Sequence, residues 1–231
     1  MRKLLLAMLL AMPSFAFAQN QDSINVFSCS EFKQDLKVWN DLSEEEVYSV
    51  KSWATKAAKI FKLNSDGAIE CTYIIRGNRN RTISDLKALC FKWFDISFLR
   101  AVNVVEEQGA DYIKAHGIYV NIVTHTGFYS ATCINSPVDI NIYVKENRIK
   151  IQILVQHYSM GSADAFSSIE SRLDNVANCY PFNRKGDHKE SYSYAFVNTY
   201  SKNLNEVQSF IDFLNAHAKD PISAPSPSKD W

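Results

Sequence analysis

The side chains able to ligate a metal or attack a carbonyl are thinly spread. Histidine stands at His116, His125, His157, His188 and His217, and cysteine at Cys29, Cys71, Cys90, Cys133 and Cys179. A short chelating motif needs its ligands one strand pleat or one helical turn apart, and no H-x-H, H-x-x-x-H or H-E-x-x-H occurs. Successive cysteines lie 42, 19, 43 and 46 positions apart, so no C-x-x-C offers a zinc knuckle or a redox pair. There is no G-x-S-x-G, no phosphate-binding loop and no G-x-G-x-x-G. Glu44-Glu45-Glu46 suits the positive end of a helix dipole, and Glu106-Glu107 a polar turn. The sequence thus signals no catalytic residue, no metal and no cofactor. A site gathered from residues far apart in sequence, as in a hydrolase, stays open as the alternative.

One basic feature stands out. Arg76, Arg79 and Arg81 precede a helix start at Ile83, where an anion could meet guanidinium and backbone N–H groups together. Solvated loop charge is the plainer reading of the same residues. The whole chain balances 25 Lys plus Arg against 25 Asp plus Glu, and carries no electrostatic footprint for nucleic acid.

The elements that must position these residues are easiest to see in a hairpin. Val138, Ile140, Ile142 and Val144 alternate with polar residues, and Ile149, Ile151, Ile153 and Val155 do the same. A two-residue loop at Glu146-Asn147 makes paired residue numbers sum to 293 and puts all eight aliphatics on one face. Asn147 tolerates the positive φ of such a turn. The opposite face then presents Asn141, Tyr143, Lys145, Lys150, Gln152, Leu154 and Gln156. If helices cover only the aliphatic side, this face is an open platform for a protein, peptide or glycan, with Tyr143, Lys150 and Gln152 at its centre.

Other elements surround the hairpin. Ile69–Arg76 alternates as a strand, and Ile83–Phe98 reads as a helix carrying Leu86, Leu89, Cys90, Trp93 and Ser97 on one stripe. Val102–Glu106 and Tyr112–Val123 read as strands, the second with a bulge at His116-Gly117 that would turn Ile118, Val120 and Ile122 inward. His157 continues the inward parity of Ile149–Val155, as a buried or strand-end histidine. Ser162 would cap a helix with Phe166, Ile169, Leu173 and Val176 inward. Ser43 would cap another, with Val47, Val50, Ala54, Ala57 and Phe61 inward, and Asn203 a last one with Leu204, Val207, Ile211 and Leu214 inward. Residues 180–200 fit strand or helix.

The chain ends carry separate signals. Met1-Arg2-Lys3 is basic, Leu4–Phe17 is apolar, and Ala16-Phe17-Ala18 precedes Gln19, the tripartite pattern of a secretory leader cleaved between Ala18 and Gln19. About 14 apolar residues are too few to span a ~30 Å hydrocarbon core. The expectation is an exported, soluble chain of the periplasm or medium, with no membrane span after cleavage. Export permits disulfides, but an odd number of widely spaced cysteines favours one pair or none. The division expected is 1–18 leader, 24–220 one α+β domain with its core at 69–177, and 221–231 a flexible Pro/Ser-rich tail.

Residues 69–177 read as strand, helix, four strands, helix, and contain Ile83-Ser-Asp-Leu-Lys-Ala-Leu-Cys-Phe-Lys-Trp-Phe94, Ala115-His-Gly-Ile-Tyr-Val120 and Val144-Lys-Glu-Asn-Arg-Ile-Lys-Ile151. On these segments the chain resembles, over about residues 69–160, a family of exported bacterial proteins of unknown function with a TATA-binding-protein-like fold. Asn147 stands where that family tends to have a turn glycine. The resemblance implies a twisted antiparallel sheet with helices on one face and an envelope location, but supplies no activity and no site residue; nor does the fold's name imply DNA binding. The expected function is non-catalytic binding in the cell envelope, with an envelope hydrolase as the alternative.

Overall fold

A computed structural model describes residues 27–44, 49–77, 81–97, 104–126, 131–162, 172–181 and 189–218. The leader with Ala18 and Gln19, the tail from Pro221, and Arg79 lie outside these residues.

Eight strands form one antiparallel sheet: β1 (Phe27–Ser28), β2 (Ile69–Gly77), β3 (Val104–Gln108), β4 (Tyr112–Thr126), β5 (Ala131–Lys145), β6 (Arg148–Val155), β7 (His157–Ser162) and β8 (Arg172–Asn175). Their order is β1-β2-β6-β5-β4-β3, with β7 pairing β5 and β8 pairing β7. The helices are α1 (Ser30–Glu44), α2 (Val50–Ile60), α3 (Ile83–Ser97), α4 (Val176–Cys179) and α5 (Lys189–Ala216). This is the expected α+β architecture with a twisted antiparallel sheet.

The hairpin register is the one the aliphatic pattern demands. Val144 faces Ile149, Ile142 faces Ile151 and Ile140 faces Ile153, and all eight aliphatics are buried. At ~1.5–3 kcal/mol per buried side chain, such a face is stable only when covered. α5 covers the same side with Phe196, Tyr200, Leu204, Val207 and Leu214, while α3 contributes Leu86, Leu89, Cys90, Trp93 and Phe94. Trp93 packs on Phe210 of α5 with ring centroids 4.7 Å apart. α1 joins this side through the edge of Phe32 on the Tyr73 ring, and Phe61, capping α2, stacks on Tyr200. Thr72, Ile74, Arg76, Tyr143 and Lys150 point the other way, half-buried or exposed.

Several local readings are corrected. β4 keeps odd residues inward through Tyr119, so Ile118 and Val120 are exposed at 52% and 68% rather than buried. The irregularity lies between Tyr119 and Val123, not at His116-Gly117. Asn121 takes φ 51° there, its N–H donating to Asn135 Oδ1 at 2.7 Å, while Asn198 of α5 holds the Ile122 carbonyl at 2.6 Å. Such a bulge returns Ile122 to the core.

A second parity change sits at Gln156. β6 pairs β5 with residue numbers summing to 293, whereas β7 pairs the same strand with sums of 294. One extra residue is inserted, so Tyr158 takes the buried position and His157 stays half-exposed.

Ser162 ends β7, and Leu173, expected on a helix, lies in β8 opposite Ser159. The four-residue α4 follows, capped by the Asn175 side chain; Phe166 and Ile169 lie outside the described residues. The strand β8 therefore occupies residues 172–175, which the expected final helix included.

Ser43 lies inside α1, a helix the sequence reading passed over, and the cap of α2 is Ser49, whose hydroxyl accepts from Ser52 N at 3.2 Å. Asn203 caps nothing. α5 begins at Lys189, so the undecided stretch is helix from Lys189 to residue 200, and Asn203 sits fully buried at mid-helix. Ser97 is exposed at the end of α3. All five cysteines are buried.

Candidate functional site

The outward sheet face is built by alternation. Every outward residue of β2, β4, β5 and β6 follows from the inward aliphatics beside it, because strand side chains alternate with period two. Pairing places Tyr112, Tyr143, Lys150 and Ile74 in one row across the four strands. The next row holds Lys114, Asn141, Gln152 and Thr72, and the third His116, Asp139, Leu154 and Glu70. At the opposite end, Lys145, Arg148 and Arg76 form a basic row over β5, β6 and β2.

A directed chain of hydrogen bonds crosses this face. Tyr112 O–H donates to Asn141 Oδ1 at 3.0 Å, and Asn141 Nδ2 donates to Gln152 Oε1 at 3.3 Å. Gln152 Nε2 then donates to Glu70 Oε1 at 3.0 Å, where the Thr72 hydroxyl also donates at 2.6 Å. The other Glu70 oxygen accepts from Asn64 Nδ2 at 2.9 Å. All donors run toward one carboxylate, so each bond polarises the next. The Thr72 hydroxyl is the largest influence holding the Glu70 carboxyl below its ordinary range; burial, next in size, pushes it up, and the Gln152 and Asn64 amides and the Lys150 charge add to the lowering. Asn141 is 7% exposed although it points outward, because Tyr112 and Gln152 close over it.

Rigid aromatic surface flanks the chain. Lys150 Nζ lies 4.2 Å from the Tyr143 ring centroid, and the Tyr112 and Tyr143 rings are 4.8 Å apart. Ile74, Tyr143, Ile118 and Val120 are exposed apolar surface on the same side. His116 Nδ1 and Asp139 Oδ1 meet at 2.5 Å. Among the described residues, no group of three or more His, Cys, Asp or Glu is placed to hold a metal ion.

The structure places Tyr143, Lys150 and Gln152 beside one another on this face. It also places there Glu70, Tyr112 and Asp139, which are not among the expected site residues, and His116, expected only at a bulge. Their signal was present in the outward half of each alternation, Glu70 and Thr72 between Ile69, Cys71 and Tyr73 for example. Of the three arginines, Arg79 lies outside the described residues, Arg76 is exposed on β2 opposite Arg148, and the Arg81 backbone N–H is taken by Asn147 Oδ1 at 2.8 Å. At the start of α3, Thr82 and Asp85 bond each other's backbone N–H groups, which sets a carboxylate at that terminus.

No family model matches the chain, and no curated protein matches it. Among solved structures the chain is similar to a TBP-like protein from Parabacteroides distasonis, at 12% identity and a TM-score of 0.45, covering 64% of this chain and 96% of that one. It is also similar to a DUF4468 family protein from Bacteroides ovatus, at 12% identity and a TM-score of 0.42, covering 70% of this chain and 92% of that one. The fold rests on this chain's own strand order, and neither neighbour tells what it binds.

Proposed function

We propose that this protein is an exported, non-catalytic binding module of the bacterial cell envelope whose contact surface is the outward face of the sheet. One observation carries the reading: four adjacent strands present a prealigned polar chain from Tyr112 to Glu70, bordered by exposed Tyr143, Ile74 and Ile118. Side chains already held by one another lose little freedom when a partner docks, so a protein, peptide or glycan is bound at low ordering cost. Export is supported by the leader pattern at Met1–Ala18, and among the described residues no helix is long and apolar enough to cross a membrane.

The test is a variant in which Tyr143, Lys150 and Gln152 are all alanine. It is expected to stay folded by circular dichroism and to lose a partner that the parent protein retains from envelope extract. Retention of every partner would overturn the reading. A hydrolase is the second reading, favoured by the short His116–Asp139 contact. Turnover of a peptide or glycan ester that His116→Ala abolishes would establish it instead.

A further inference from the structure

The basic and acidic ends of the outward face are spaced alike on two strands. On β5, Asp139 and Lys145 are six residues apart, and on β2 Glu70 and Arg76 are also six apart. Both strands run against β6, so they point the same way. Asp139 and Glu70 therefore stand level, with Leu154 between them, while Lys145 and Arg76 stand level with Arg148 between them. At ~3.4 Å per residue the two rows are ~20 Å apart. Between them lie only Tyr143, Lys150 and Ile74, then Asn141, Gln152 and Thr72.

A two-fold axis lying in the face and perpendicular to the strands exchanges the two rows. It sets Lys145 against a second Asp139, Arg76 against a second Glu70, and Arg148 beside a second Leu154. The Tyr143 and Ile74 row then meets the Asn141 and Thr72 row, so exposed apolar surface is covered near the axis. An axis parallel to the strands would instead set basic row on basic row, which repulsion forbids. Sheets pack face to face with strands within about 30° of each other, a geometry that keeps this pairing in reach.

We propose that the outward face docks a second copy of this chain, the basic row of each against the acidic row of the other. The proposal rests on the reading of this face as the contact surface and names its occupant. A self-complementary patch of this kind defines an isologous dimer.

Sedimentation of the full chain tests it. The parent is expected to sediment as a dimer at low salt and to dissociate at about 1 M salt, where the Debye length is about 3 Å. A variant with Arg76→Glu, Lys145→Glu and Arg148→Glu, and another with Glu70→Lys and Asp139→Lys, should each self-associate at least tenfold more weakly. Mixed one to one, they should form a heterodimer. Should the second variant misfold, the first variant and the salt series decide the matter. A parent that stays monomeric up to its solubility limit, or variants that dimerise like the parent, overturn the proposal. If in that case the Tyr143, Lys150 and Gln152 variant still loses an envelope partner, the binding reading stands and only its occupant is wrong.

Discussion

Asn147 Oδ1 accepts the backbone N–H of Arg81 at 2.8 Å, so the residue that turns the central hairpin also ties down the link between β2 and α3. The Asn147 backbone carbonyl takes the Gly77 N–H at 2.9 Å, and its φ is 58°. Glycine would supply that φ but not the side-chain acceptor. Asn147→Gly is therefore expected to cost about 1 kcal/mol, the net worth of one hydrogen bond. Asn147→Val, which loses the bond and strains a β-branched residue at positive φ, should cost about 2–4 kcal/mol in all. Urea denaturation of the two variants checks the order. Equal losses would show that the tie to Arg81 and the turn strain are not separate effects.

The same turn sets the register of eight buried aliphatics. A residue inserted between Glu146 and Asn147 moves one set toward water, because a one-residue slip exchanges the two faces of a strand. The insertion variant is expected to aggregate or to melt without cooperativity. The sheet already absorbs one extra residue at Gln156, where Val176 N bonds the Gln156 carbonyl at 2.9 Å, and two around Asn121, held by Asn135. A cooperative melt of the insertion variant close to that of the parent would refute the expectation.

All five thiols are buried. Burial pushes Cys71 up to about 12 and Cys90 higher still, so neither of these two is a thiolate at neutral pH. Titration with a thiol reagent should find no reactive cysteine in the native protein and five after denaturation. A fast-reacting thiol in the folded state would reopen a nucleophilic role. Cys71 also receives Asn203 Nδ2 at 3.6 Å, while Asn203 Oδ1 has no partner among the described residues. Asn203→Leu is thus expected to be neutral or stabilising, since it removes a buried polar atom that is only partly satisfied.

Alternation made the hairpin, β2 and most of α3 legible, because a face buried along its whole length leaves period-two or helical spacing in the sequence. What failed was parity across a bulge. Nothing in the aliphatic pattern at Ile118 and Val120 tells that Asn121, rather than Gly117, turns the strand over, since the deciding contacts come from Asn135 and Asn198 far away in sequence. Leu173 and Val176 fit a helical step, yet Leu173 is a strand residue because β7 offers it a partner edge. Asn203 resembled a cap because the sequence does not show that its side chain has a buried thiol beside it. The site was legible in its residue types at Tyr143, Lys150 and Gln152. Its direction toward Glu70 depends on strand order, which alternation alone does not supply.

Two glutamates should shift stability with pH in opposite senses. Glu70 is held below its ordinary range chiefly by the Thr72 hydroxyl, so its contribution is present above the unfolded carboxylate range and fades as pH falls through its lower folded value. Glu206 is raised by burial, with Lys202 only partly offsetting. Its folded form favours the proton, and the stability this gives is present in acid and lost as pH rises through the folded value. Glutamine keeps the shape of each and removes the charge. Glu70→Gln is therefore expected to lower the melting temperature at pH 7, by an amount that shrinks toward pH 4. Glu206→Gln should raise it at pH 7, by a gain that likewise vanishes toward pH 4. Thermal melts of parent and variants at both pH values measure the two differences. If both variants shift the same way at pH 7, or neither difference changes with pH, then Glu70 is not the charged end of the hydrogen-bond chain, or burial does not raise Glu206.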